Sequence, residues 1–72
     1  MQQIFKDIAF KRLQDWGFAV ETFPHSFDVG THFREIEQAN IESIKEILWA
    51  SNCDFLNIRK IAFNTVRVTL KE

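Results

Sequence analysis

The chain has 72 residues, a net charge of −1, one cysteine, eight phenylalanines and two tryptophans. One cysteine excludes an internal disulfide framework and fits a reducing cytoplasm. No apolar run approaches the ~20 residues of a bilayer-spanning helix, and the opening "MQQIFKDIAFKRL" carries too much charge for the apolar core of a signal peptide.

Residues 3–16, "QIFKDIAFKRLQDW", read as a helix. At about 100° per residue, Ile4, Phe5, Ile8, Ala9, Leu13 and Trp16 share one broad face, with Arg12 inside that arc and Phe10 off it, a candidate for a second contact. An arginine in such a position snorkels or finds a carboxylate. Gly17 stops the helix. Residues 18–23, "FAVETF", suit a strand, and "PHS" is turn chemistry. From Phe27 the pattern alternates: Phe27, Val29, Thr31 and Phe33 point one way, and Asp28, Gly30, His32 and Arg34 the other.

"ANIESIKEILWAS" gives a second helix with Asn40 as N-cap, and Ile41, Ile44, Ile47 and Leu48 form its apolar stripe. Trp49 falls on the opposite side, among Glu42, Lys45 and Glu46. "SNCD" ends this helix. In "FLNIRKIAFNTVRVTLKE" a strand within 55–63 slips phase near Arg59–Lys60, which predicts a bulge. Asn64–Thr65 makes a turn, and Val66, Val68 and Leu70 alternate with Arg67, Thr69 and Lys71 in a final strand. A shift of 37 residues matches little beyond Ile4 with Ile41 and Phe18 with Phe55, so duplication is not argued.

The order is α-β-β-α-β-β. It predicts a two-layer α+β fold, with both helices on one face of an antiparallel sheet of about four strands, as a single compact domain over residues 1–72. A circularly permuted ferredoxin-like arrangement is compatible with this order. A chain this short buries only about 60% of its unfolded surface, so most rings must be core. One or two are expected to remain on a contact surface.

Charge is unevenly spread. Residues 21–54 hold seven acids against Arg34 and Lys45, while residues 55–71 hold Arg59, Lys60, Arg67 and Lys71 with no acid. The two regions could complement each other within one fold or between copies.

Chemistry-bearing residues are sparse. His25-x2-Asp28-x3-His32, with Cys53 elsewhere, contains zinc-ligand types but matches no paired Cys/His spacing, so no metal is expected. His25 and His32 with Arg34 and Glu35 could also supply the acid, base and phosphate clamp of a ribonuclease. The order helix, "WGF", strand, histidine and later helix resembles that of the small HicA-type ribonuclease toxins. The Gly-Ser-His motif of that family is absent and two C-terminal strands are added, so no catalytic residue is carried over. Asp54 would raise the pKa of Cys53, which reads as a small residue packed at a helix end. No Gly-rich phosphate loop or dinucleotide fingerprint occurs, and no cofactor is expected.

Three functional readings follow. The first is a small non-enzymatic protein-interaction module, an adaptor, inhibitor or regulatory subunit, whose contact residues would be Trp49, Glu42, Lys45, Glu46 and Phe10. Its simplest partner would be a second copy, through the basic patch of Arg59, Lys60 and Arg67. The second is a nucleic-acid-binding module using Arg59, Lys60, Arg67 and Lys71, and the third is the toxin-like ribonuclease.

Overall fold

The computed structural model describes residues 2–71; Met1, and Glu72 at the end of the β-forming C-terminal segment, lie outside them. Helix α1 (Gln3–Trp16) ends where the glycine stands. Gly17 takes a left-handed φ of 112°. Its N–H donates to the Gln14 carbonyl at 3.0 Å, and the Phe18 N–H donates to that of Leu13 at 3.1 Å. That pair of bonds is a Schellman stop, and it carries Phe18 into the core beside Leu13.

Helix α2 (Gln38–Ala50) ends in the same way. Asn52 is the left-handed residue (φ 55°). Its N–H donates to Trp49 O, while the Cys53 N–H donates to Leu48 O at 2.9 Å. The start of α2 differs from the expectation: Glu37, not Asn40, is the N-cap. Asn40 sits three residues into the motif, where its side-chain oxygen accepts from the Glu37 N–H at 2.9 Å. Asn40 still supplies a polar oxygen at the helix start, but from the reciprocal position of a capping box.

The strands are β1 (Ala19–Phe23), β2 (Ser26–Gly30), β3 (Phe55–Ala62) and β4 (Thr65–Leu70). They form one antiparallel sheet in the order β1-β2-β4-β3. This is the strand order of a ferredoxin-like sheet opened at a different connection. Exchanging the two α-β-β halves leaves the order unchanged, although the sequences barely correspond. The predicted phase slip of β3 is present as two irregularities, at Leu56 and at Ile61.

Alternate residues of the strands point into a single core. Phe27, Val29, Val66, Val68 and Leu70 meet Ala9 and Leu13 of α1 and Ile44 and Leu48 of α2. Both helices therefore cover one face of the sheet and leave the other bare. Among the described residues no helix is long and apolar enough to cross a membrane.

The apolar face expected for α1 is rotated. Its buried side runs through Lys6, Ala9 and Leu13, with Phe10 half-buried against the core, while Ile4, Ile8 and Trp16 are exposed. The ring of Phe10 lies 6.4 Å from that of Phe27. Lys6 permits the rotation, because its Nζ donates to the carbonyls of Phe23 and Pro24 and sits 5.8 Å from the Phe27 ring centroid. The cation thus holds the β1–β2 turn, and its stem fills a place that an isoleucine would otherwise claim. Among the described residues Arg12 finds no carboxylate. It donates to the Ala50 carbonyl at 3.0 Å and to Ser51 Oγ at 3.2 Å, at the negative end of the α2 dipole.

Strand β2 is also shorter than the alternation suggests. It stops at Gly30, so His32, Phe33 and Arg34 belong to a loop, and Phe33 is 94% exposed. The Thr31 N–H donates to Asn64 O at 3.0 Å, its hydroxyl donates to the Arg34 carbonyl, and Asn64 Nδ2 donates to Thr31 O at 3.2 Å. These bonds turn the chain away from the sheet. Gly30 is needed here because a β-carbon would lie 2.9 Å from the Asn64 carbonyl oxygen.

Candidate interaction surface

Trp49 is the sequence-predicted residue that the fold displays most clearly. Its last-turn position on α2 aims it away from α1, toward β3, where its ring lies 5.8 Å from that of Phe55. Phe55 opens β3 and pairs with Leu70, on the core side of the sheet. The contact covers part of the indole, and Trp49 remains 59% exposed. One turn back, Lys45 leans 3.9 Å from Glu42. Glu46 lies on the side of α2 that faces α1, where it borders a groove of about 470 Å³ with Arg12, Trp16 and Ile47. The rim beside Trp49 is therefore a charge pair with an acidic flank. Phe10 does not belong to this surface. It points from α1 into the core against Phe27, on the opposite side of the helix from Arg12, which reaches α2.

The basic residues of the second reading are partly spoken for. Arg67 makes a two-pronged bond to Asp28, with Nε at 2.8 Å and a terminal nitrogen at 3.0 Å. Hydrogen bonding to that carboxylate, reinforced by its charge, raises the guanidinium pKa above its usual value. The same guanidinium lies 5.7 Å from the Phe23 ring. Lys60 donates to Glu35 at 3.0 Å. The acidic middle and the basic end of the chain thus meet within one fold. Arg59 and Lys71 remain exposed.

The histidines do not converge. His25 sits in the β1–β2 turn and His32 in the loop beyond Gly30, so the whole of β2 separates them. Five residues of strand span roughly 17 Å, far beyond what one ion or one phosphate could bridge. His25 is equally remote from Arg34, and Glu35 is held by Lys60. Among the described residues no group of three or more His, Cys, Asp or Glu side chains could hold a metal. Replacing His25 and His32 together is expected to change unfolding free energy by about 0.5 kcal/mol or less. Elemental analysis of untagged protein is expected to show no stoichiometric zinc. One equivalent of zinc per chain, lost with either histidine, would overturn this.

Cys53 is buried at the end of α2. Burial, and then the neighbouring Asp54 charge, push its thiol up to about 11, with Lys6 pulling slightly the other way. At pH 8 only about one thiol in a thousand would be ionised. Alkylation of the native protein is expected to be slow and to become fast on adding denaturant. Rapid native-state labelling at pH 8 would contradict the burial.

Comparison with protein-family models found no match, and comparisons with curated proteins and with solved structures found no significant similarity.

Trp49 stands out in the sequence because it breaks a helical stripe. The charge on the bare sheet face has no such signature in the sequence, because it depends on which strands are neighbours.

Proposed function

We propose that this chain is a non-enzymatic protein-interaction module, an adaptor, inhibitor or regulatory subunit that engages a protein partner through the Trp49–Phe55 surface. The observation that carries this reading is the tryptophan, 59% exposed on an otherwise polar helix side and backed by one aromatic ring. Such a residue costs solubility without helping the core, whereas a partner that desolvates it gains a large rigid contact. The neighbouring Glu42, Lys45 and Glu46 suit a partner that presents an apolar socket with basic residues at its rim. The setting proposed is the cytoplasm, where a single buried thiol stays reduced.

A nucleic-acid role draws less support. Lys60 and Arg67 already neutralise Glu35 and Asp28, which leaves Arg59 and Lys71 as the cations of that set without an acid partner among the described residues. The test is capture on immobilised protein from native lysate of the source cells, with Trp49→Ala in parallel, analysed for both protein and nucleic acid. A protein recovered by the wild type and lost with the variant supports the module. Recovery of nucleic acid in a salt-sensitive manner, or equal recovery of protein by both, defeats it.

A further inference from the structure

The bare face of the sheet carries charge in a regular order. Cross-strand partners share a face, so the register places Glu21, Asp28, Arg67 and Arg59 in one row across β1, β2, β4 and β3. The row reads minus, minus, plus, plus. Its centre is satisfied by the Asp28–Arg67 pair. Its ends are not: Glu21 and Arg59 are exposed and form no ion pair among the described residues. Each end also stands directly opposite a like charge, Glu21 beside Asp28 and Arg59 beside Arg67. Like charges in that relation are destabilising; within one chain the charge of Arg67 offsets Glu21 in part, while Arg59 faces only Arg67 across its strand pair.

We propose that this face docks a second copy of the chain, sheet on sheet, about a twofold axis parallel to the strands. Rotation about that axis reverses the row, so minus-minus-plus-plus meets plus-plus-minus-minus. Glu21 then faces Arg59 of the other copy at both ends of the row, and Asp28–Arg67 faces its own reverse. An axis perpendicular to the strands would set Glu21 against Glu21 and is excluded by charge. The preferred axis also preserves position along the strands. The row of Ala19, Gly30, Thr65 and Ala62 faces itself, and its small side chains allow close approach. A shallow depression of about 420 Å³ lies there, bordered by Ile61. Ile61 of one copy comes over Ala19 of the other, which covers an exposed isoleucine. Aligned packing of two sheets is a common arrangement. With the row of Phe23, Ser26, Thr69 and Asn57, three rows of four residues make a small interface, so a dissociation constant in the micromolar range is expected.

The Trp49 surface lies on the helix side of the sheet and takes no part in this contact. Sedimentation of the full chain over a concentration series up to millimolar, at low salt, tests it. Glu21→Arg alone and Arg59→Glu alone are each expected to weaken self-association at least roughly tenfold. The double variant, Glu21→Arg with Arg59→Glu, is expected to restore it, and Trp49→Ala to leave it unchanged. Circular dichroism checks that each exposed substitution keeps the fold, and Glu21→Gln gives a milder probe. A wild type that stays monomeric overturns the proposal. So does a dimer indifferent to both reversals, or one that the double variant fails to restore.

Discussion

Phe27→Ala is expected to remove a large share of the stability of this chain, about 3–5 kcal/mol. The total available to 72 residues is roughly 4–11 kcal/mol. Phe27 is fully buried on a central strand. Phe10 from α1 packs at its ring, and the Lys6 ammonium lies near its face. Truncation leaves a hole that three elements share and that a short sheet cannot close. It also strips the apolar support from Lys6, whose bonds to Phe23 and Pro24 fix the first hairpin. Urea unfolding followed by circular dichroism measures the loss. A decrease below about 1 kcal/mol would mean that the core does not converge on this ring.

The fold was legible where a single element carries its own evidence. Residues 3–16 and Gly17 describe α1 and its end, and Val66, Val68 and Leu70 describe β4, because periodicity and one glycine suffice. Readings failed where the deciding partner is distant in sequence. Thr31 and Phe33 continue the alternation of β2, yet Asn64, more than thirty residues on, captures Thr31 and turns the chain out. On α1 the apolar count favours Ile4, Ile8 and Trp16. The burial of Lys6 is intelligible only once the Phe23 and Pro24 carbonyls are brought beside it.

The candidate surfaces divide in the same way. Trp49 announces itself by breaking the stripe of its own helix. The row of Glu21, Asp28, Arg67 and Arg59 is invisible until register is known, since its members span 39 positions of sequence between Asp28 and Arg67 alone. The block charges read from sequence, acidic then basic, are the one-dimensional trace of that row and of the Lys60–Glu35 pair.

Trp49→Ala is expected to weaken partner binding by about 2 kcal/mol or more, roughly thirty-fold, while the fold survives. The two halves of this expectation have separate causes. Stability depends on what the ring touches within the chain, and the ring contact it makes is with Phe55, at 5.8 Å. Loss of a half-exposed aromatic pair costs about 0.5–1.5 kcal/mol, well inside the stability of the domain. Binding depends on what remains uncovered, and more than half of the indole does. A partner that buries it removes a large apolar area from water and stacks against an already ordered ring, with little entropy lost. Trp49→Phe keeps a ring of the right shape and is expected to fall between wild type and alanine. Tryptophan fluorescence offers a direct readout once Trp16, the other exposed indole, is replaced by phenylalanine. Emission from Trp49 should then shift to shorter wavelength on adding the captured partner, and titration of each variant gives the affinities. An unfolded alanine variant would show that Phe55 and the helix need the indole for themselves. A folded variant with undiminished affinity would place the partner elsewhere on the molecule.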